Sequence, residues 1–376
     1  MSGSITLKTG VDLHICQNGV LLGSPSMEDY PEKENPKHVR TEFLTRWRNA
    51  SFIFADECKN VSITGRGKID CNGDGYIVPD ENSTTWKYTR INKPTPPRMV
   101  FFTGCENVLI EGVTMVNQPA CWSYWIHDCD YVNIDKITIR ANVDYPNNDG
   151  IHINSSRHVT VSNSNITCGD DCIILRANNA SLKENKVCEH VTVTNCNLTS
   201  YSAAVRIGWV QDGNIKNCTL SNLSITDSSV GVSIYIPTSR RTAPSLINIG
   251  CADVGREATL IENITFNNIV MDKQCSYPVY VNITDSEEVM FGGLRNIHFS
   301  NLHSRGPEFP YIKGRSDCYA EDISFSNCSF KITDGSEFTN RAHHGWTGLE
   351  NLEPNHPMTI MNAKNVTFNN TSFTNV

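Results

Sequence analysis

The sequence predicts an all-β protein, a right-handed parallel β-helix of about ten coils. Two observations lead to this fold class. A short unit recurs along the chain, and within each unit apolar and polar residues alternate at the strand period of two. The unit reads polar-hydrophobic-x-hydrophobic-x-Asn-x-x-hydrophobic and is rich in Val, Ile, Thr and Phe. Copies begin at Asn60, Asn107, Tyr131, His158, His190, Asn217, Asn263, Asn296, Asp322 and Asn365.

The spacing of the units favours a solenoid over a β-sandwich or a propeller. Several successive starts lie 24 to 33 residues apart, whereas the strands of a sandwich follow one another every 8 to 12 residues or so. A unit this short cannot bury its apolar face alone, so neighbouring units must stack into one core. The recurrent Asn is expected at a turn, because Asn tolerates the left-handed backbone region and its amide can bond to the same position one coil away.

Two stretches interrupt the repeat, residues 65–106 and 331–359. Insertions in a solenoid collect on one face and often build the binding cleft. No stretch has the composition of an interdomain linker, so we expect residues 1–376 to form a single domain with two loop insertions.

Composition and charge exclude several classes of function. The formal net charge is -8, and no block of basic residues would gather phosphates, so no nucleic-acid partner is expected. No apolar run is long enough to span a bilayer, which argues against a membrane protein. Composition leaves the oligomeric state open.

Cysteine usage bears on the compartment. The chain has 15 cysteines but no C-x-x-C pair, so we expect no zinc site and interpret most thiols as small core fillers. The first residues lack a signal-peptide pattern. A cytoplasmic location is therefore predicted, with secretion or export to a periplasm after removal of a leader as the alternative.

Three aspartates are predicted to meet on neighbouring coils. Aligning the alternation of residues 145–154 with that of 167–176 stacks Asp149 on Asp171 and puts Asp170 at the same turn. Adjacent strands lie about 4.8 Å apart, so the three carboxylates should crowd one patch. Like charges this close raise at least one pKa and give a protonated acid beside ionised partners. Turn-forming aspartates or a calcium site are the alternatives at this point.

At these residues the chain resembles glycoside hydrolase family 28, the polygalacturonases and their relatives. The family's N-T-D-G motif is matched by N-N-D-G at 147–150 and its G-D-D motif by 169–171, and the similarity extends along most of the chain. The resemblance implies Asp170 as general acid, with Asp149 and Asp171 activating water, and inversion at the anomeric carbon. It also implies a carbohydrate substrate, no organic cofactor and no required metal.

The chain departs from the family at two motifs. G-H-G falls on residues 202–204, which read S-A-A, and R-I-K falls on 233–235, which read S-I-Y. The cations that would hold a galacturonate carboxylate are missing there, which argues against an ordinary endo-polygalacturonase. Arg206 and Arg176, expected in outward-facing rows of the same sheet, are the candidates to restore a cation.

The cleft should also contain groups that contact sugar. Trp122, Tyr124 and Trp125 could stack on sugar rings, although core packing explains each of them equally well. The candidate substrate contacts are Asn147, His152, Arg176, Arg206, Trp209 and Tyr235.

The predicted function is that of an inverting glycoside hydrolase cleaving a pectic or related polysaccharide or oligosaccharide. A preference for chain ends is expected if the two insertions close the cleft. Two alternatives share the fold: a catalytically silent carbohydrate-binding β-helix, and a polysaccharide lyase or epimerase, which would need a Lys or Arg base or a calcium site.

Overall fold

The architecture is known from a computed structural model. The structure describes residues 1–31, 33–34, 36–39, 50–83, 86–90, 98–179, 182–209, 212–237, 257–285, 290–335 and 358–376.

The chain forms a right-handed parallel β-helix, which confirms the predicted fold class. Two large sheets of parallel strands wrap around one core, and each coil contributes strands to both. The first sheet has eleven strands: Ile5–Thr6, Ser51–Asp56, Arg98–Thr103, Tyr124–His127, Ile151–Asn154, Ile173–Arg176, Ala203–Ile207, Val230–Ile236, Val279–Ile283, Tyr311–Lys313 and Thr359–Met361.

The second sheet has eighteen strands in two parallel ladders, which merge where one long strand serves both. Its strands are Asp12–Ile15, Val20–Leu22, Lys59–Gly65, Lys68–Asp70, Glu106–Glu111, Thr114–Val116, Asp130–Asp135, Thr138–Arg140, Arg157–Ser162, Asn165–Cys168, Cys188–Ser200, Asn214–Thr226, Thr259–Asp272, Phe291–Gly306, Ala320–Ser326, Ser329–Ile332, Ala363–Asn369 and Ser372–Asn375.

The register of the first sheet is the predicted one. Ile151 pairs with Ile173, which pairs with Val205, so these side chains stack in the core. The neighbouring positions form a row on the outward face, in the order Phe101, Trp125, His152, Ile174, Arg206, Ser233, Tyr280 and Tyr311. The candidate site lies against this row of outward-facing residues.

Left-handed residues make the corners of the coils. All ten residues that begin the repeats have φ between 52° and 59°, including Tyr131 and the stacked His158 and His190. The recurrent Asn occupies the next corner, as at Asn268, where φ is 54°. The Asn268 Nδ2 donates to Asn222 Oδ1 one coil away at 2.7 Å, and Asn370 donates in the same way to Asn327 at 2.8 Å. The expected Asn turn ladders are thus confirmed.

A continuous apolar core runs through the stacked coils from Leu7 to Phe330. Parallel aromatic stacks occur inside it, as between Phe266 and Phe299, whose centroids lie 4.7 Å apart. Fourteen cysteines are described and all are free thiols, twelve of them buried, which agrees with the core-filler interpretation. Cys251 lies outside the described residues. The cellular location stays a prediction.

The predicted first insertion, residues 65–106, includes Lys68–Asp70 and Arg98–Thr103, which are strands of the two large sheets, so the inserted segment is shorter than expected. It contains a 3₁₀ helix, Gly73–Tyr76, and an antiparallel pair of strands, Ile77–Pro79 and Tyr88–Arg90. A second 3₁₀ helix, Met27–Asp29, lies near the start of the chain. Most of the second insertion, residues 336–357, lies outside the described residues. Within the described ranges, no helix is long and apolar enough to cross a membrane.

Replacing a corner Asn tests the turn ladder. Asn268→Ala should lower the free energy of unfolding by about 1–2 kcal/mol, because Ala tolerates the left-handed region less well than Asn and the bond to Asn222 is lost. Asn268→Gly loses the same hydrogen bond but tolerates the backbone, so it should cost less. Urea unfolding of both variants measures the difference. Equal losses would show that left-handed strain is not what selects Asn here.

Candidate active site

The three predicted aspartates converge on the outward face of the first sheet. One carboxylate oxygen of each lies within 4.8 Å of those of the other two. Asp149 is 5% exposed, and Asp170 and Asp171 are each 7% exposed. Among the described residues this is the one group of side chains placed to hold a metal ion. The sheet register therefore creates a dense, nearly dry patch of negative charge.

Burial and mutual repulsion change the acidity of this group. Burial raises the pKa of Asp170 well above its ordinary value, and the charges of Asp149 and Asp171 raise it further. The pKa of Asp149 is also raised, by burial first and then by the charge of Asp171, while Arg98 and Arg206 oppose the rise. Asp149 and Asp170 thus retain protons at a pH where isolated aspartates are ionised.

Short contacts hold the turn that carries Asp170 and Asp171. Asn147 Nδ2 donates to Asp170 Oδ2 at 3.1 Å, and the backbone N–H of Asp171 donates to Asp170 Oδ1 at 3.0 Å. Asp171 Oδ1 accepts the backbone N–H of Ala203 at 2.9 Å. Ala203 stands at the position of the histidine in the G-H-G motif of the family that the sequence resembles. Asn147, a candidate substrate contact, therefore bonds directly to the predicted acid.

Arg206 lies in the outward row beside the aspartates. Its Nη1 is 3.5 Å from Asp171 Oδ2, and only 2% of the residue is exposed. Burial lowers the pKa of Arg206 to about 10. The guanidinium carbon lies 4.1 Å from the ring centroid of Trp209, which meets Tyr235 edge to face at 6.1 Å. Arg206 therefore brings a cation to the predicted catalytic aspartates; that it holds a carboxylate of the substrate stays a prediction.

Arg176 belongs to a different interaction. Its Nε donates to Asp212 Oδ2 at 2.6 Å and its Nη2 to Asp212 Oδ1 at 2.9 Å. The Asp212 side chain is fully buried, and burial raises the pKa of Asp212 even though Arg176 opposes the rise. This bidentate pair commits the guanidinium of Arg176 to a structural partner. Its role as a substrate contact stays a prediction that this geometry does not favour.

On the side of the earlier coils, His152 contacts the carboxylates. His152 Nε2 lies 3.0 Å from Asp149 Oδ2, and the imidazole stacks on Trp122 with centroids 3.6 Å apart. The guanidinium of Arg98 covers the same indole at 3.9 Å. The sequence hypotheses did not include Arg98. The sequence feature that could have pointed to Arg98 is its position at the start of the strand that pairs with Tyr124–His127.

The first insertion reaches the catalytic turn through Trp86. Its indole Nε1 donates to the carbonyl of Gly169 at 2.7 Å. Nearby, Tyr88 meets the ring of Tyr145 edge to face at 4.9 Å, and Lys87 forms an ion pair with Asp144. The inserted segment therefore borders the site at Gly169. No sequence pattern links Trp86 to a residue 83 positions later.

The Arg176–Asp212 pair can be tested by its effect on stability. Asp212→Asn or Arg176→Met should lower the free energy of unfolding by about 3–5 kcal/mol, because each leaves a buried charge without its partner. Arg157→Met breaks the more exposed pair of Arg157 with Glu189 and should cost less than about 1 kcal/mol. Urea unfolding compares the three variants. An unchanged stability for Arg176→Met would mean that the ion pair contributes nothing to the fold.

Comparisons with known proteins bear on the family. A sequence model of the family Glycosyl hydrolases family 28 matches residues 41–341. An exopolygalacturonase from Zea mays is 24% identical over 323 residues, which cover 78% of this chain and 71% of the relative.

Solved structures share the fold. The exopolygalacturonase of Yersinia enterocolitica superposes with a TM-score of 0.68 at 17% identity, covering 100% of this chain and 70% of that one. The hyperthermoactive exopolygalacturonase of Thermotoga maritima gives 0.66 at 21% identity, covering 88% and 77%. Because the family model spans most of the repeat region and both matched motifs, the chain belongs to glycosyl hydrolases family 28 and is a glycosidase.

Proposed function

We propose that the protein is an inverting glycoside hydrolase that removes sugars from the ends of pectic oligosaccharides. The observation that carries this proposal is the buried trio, in which Asp149, Asp170 and Asp171 present oxygens within 4.8 Å of one another. Glycoside hydrolysis needs a protonated carboxyl group beside an ionised one. Names of the matched relatives support pectin as the substrate class.

Asp170 is the proposed general acid. Its pKa is raised by burial and by two neighbouring carboxylates, so it keeps the proton that the leaving oxygen requires. Asp149 and Asp171 are the proposed pair that activates water. No side chain among the described residues bonds to Asp149 Oδ1, which leaves that oxygen able to accept a proton from water.

The spacing of the three carboxylates favours the alternative of a retaining mechanism. Inverting enzymes usually separate their two carboxyl groups by about 6.5–9.5 Å and retaining enzymes by about 5–5.5 Å. The nearest oxygens here are closer than the inverting range. Inversion is proposed on the family resemblance and on the presence of a third carboxylate, since a retaining reaction uses only two. The configuration of the first product separates the two mechanisms.

Action at chain ends is proposed on the names of matched relatives that are exopolygalacturonases. The outward row is buried throughout, since Phe101, Trp125, Tyr280 and Tyr311 are at most 3% exposed and His152, Arg206 and Ser233 beside the trio are at most 4% exposed. We propose a short cleft at the trio that accepts a terminal sugar.

The terminal sugar is proposed to be neutral or deoxy, such as galactose or rhamnose. Ser233 and Tyr235 replace the Arg and Lys of the family. Arg206 is almost completely buried against Asp171, which makes it a counter-ion of the trio. A bound uronate would add a further negative charge beside the aspartates without a replacement cation. The names of the matched relatives favour galacturonate instead. Whether the terminal sugar is charged therefore distinguishes this proposal from the activity that those names describe.

Neutralising the acid tests the catalytic assignment. Asp170→Asn should lower kcat by about 10²-fold or more and leave the fold intact, because general acid catalysis is lost. Asp149→Asn and Asp171→Asn should be similarly damaging, since the pair that activates water acts as a unit. Asp322→Asn is the matched control, because Asn fills the same corner in other coils. Near-normal turnover by Asp170→Asn would refute its role.

A panel of pectic oligosaccharides tests the substrate and the stereochemistry together. The panel carries galacturonate, galactose or rhamnose at the non-reducing end, and proton NMR records the anomeric form of the first product. Polygalacturonate should have a kcat/KM at least about 100-fold below that of the best substrate, because two charge-assisted bonds of about 1.5–3 kcal/mol each are missing. The product should have the inverted configuration.

Other outcomes of the panel contradict parts of the proposal. A retained anomer would establish the alternative mechanism with an aspartate nucleophile. Efficient internal cleavage of polygalacturonate would refute both the terminal action and the neutral sugar. Binding of oligosaccharides without turnover, with or without a chelator, would identify a catalytically silent carbohydrate-binding protein.

A further inference from the structure

We propose that Arg98, Trp122 and His152 form a stack that positions Asp149 to activate water. Arg98 and His152 lie on the two faces of the Trp122 indole, and His152 contacts Asp149. The inference rests on the proposed function, because it presumes that Asp149 is the base. It gives His152 a positioning role in place of the substrate contact expected from the sequence.

The stack is tight, and its two outer members are nearly free of solvent. The imidazole and the indole are almost parallel, with an interplanar angle of 13° and centroids 3.6 Å apart. On the other face, the guanidinium carbon of Arg98 lies 3.9 Å from the indole centroid. Arg98 is 6% exposed and His152 is 4% exposed. Such packing leaves the imidazole little freedom to rotate or tilt away from Asp149.

Both faces of Trp122 are therefore occupied. A sugar-stacking tryptophan must present an open face to the substrate. Trp125 presents none either, because it stacks on Phe101 at 4.3 Å and meets Trp122 edge to face at 5.5 Å. These rings support the site from the side of the earlier coils. Trp122 and Trp209 are both partly buried, but among the described ring contacts a cation covers one face of Trp209, whereas both faces of Trp122 are covered, so Trp209 stays the candidate for contact with a sugar.

His152 acts on Asp149 as a neutral donor. Burial lowers the pKa of His152 well below its ordinary value, and the charges of Arg176 and Arg98 lower it further. A neutral imidazole can carry its proton on Nε2, and this N–H can donate a hydrogen bond to Asp149 Oδ2, 3.0 Å away. This contact fixes the plane of the carboxylate and leaves Oδ1 as the oxygen that takes the proton from water.

Arg98 contributes its charge as well as its contact. Its positive charge lowers the pKa of Asp149 against the effects of burial and Asp171. Removing that charge should raise the pKa of Asp149, so the base becomes ionised only at a higher pH. The acidic limb of the pH–rate profile should then move upward. The charged groups that act on Asp149 or His152 are Asp170, Asp171, Arg98, Arg176 and Arg206.

Variants of each layer test the stack on the best substrate of the panel. Trp122→Leu removes the flat ring between Arg98 and His152 and should lower kcat about tenfold or more while KM changes less than about threefold. Trp122→Phe keeps a flat ring and should recover much of the loss. His152→Gln retains an N–H donor and should keep more activity than His152→Ala.

The charge is tested separately. Arg98→Gln should shift the acidic limb upward by about half a pH unit or more, as expected for the loss of a cation that favours the ionised base. Arg140→Gln, an exposed arginine on the second sheet, is the matched control and should leave the limb unchanged. Circular dichroism and thermal unfolding identify any variant that fails to fold. If the Trp122 variants fail to fold, the His152 and Arg98 variants decide whether the stack positions Asp149.

The outcomes separate this inference from the proposed function. If Asp149→Asn is as active as the wild type, the assignment of the base fails. If Asp149→Asn is inactive while the Trp122, His152 and Arg98 variants keep the wild-type kcat and pH profile, the stack does not position the base. A rise in KM at constant kcat for Trp122→Leu would show that the ring binds sugar, which overturns the proposal.

Discussion

Hydrogen bonding between successive coils is the constraint on which the rest of the protein depends. It aligns each strand of the first sheet with the next, residue for residue, from Ile5–Thr6 to Thr359–Met361. Because side chains alternate between core and surface, a slip of one residue would exchange the two faces of a strand. The core residues Ile151, Ile173 and Val205 would then face outward, so apolar burial fixes the register. The same register delivers Asp149 and Asp171 to one patch.

That patch depends on compensation of charge. Three carboxylates within 4.8 Å of one another would repel strongly in a dry environment. Arg206 approaches Asp171 at 3.5 Å, and Arg98 acts on Asp149 from the other side. The compensation is partial, because Asp149 and Asp170 still have raised pKa values. Partial compensation suits acid–base catalysis, which needs one group that keeps its proton and one that can accept a proton.

The two arginines near the trio have different partners and therefore different roles. Arg176 ends the strand that follows Asp170 and Asp171, and Arg206 lies on the next strand of the same sheet, yet Asp212 binds Arg176 through two hydrogen bonds. Arg206 has a longer contact with Asp171 and lies over Trp209. From the sequence alone, both arginines are equally good candidates for the cation of the cleft. Their partners distinguish them, and Asp212 lies 36 positions from Arg176.

The sequence by itself determined the solenoid, the strand register, the Asn corners and the convergence of Asp149, Asp170 and Asp171. These follow from a local period that repeats along the chain, so they can be counted without knowing the distant contacts. The tertiary structure alone decided that Arg176 pairs with Asp212, that Trp86 bonds to Gly169, and that Trp122 lies between Arg98 and His152.

Those contacts join side chains whose rotamers depend on packing across several coils and on insertions that break the period. Alternation places a residue on a face of the sheet, but it does not say which neighbour on that face the side chain will meet.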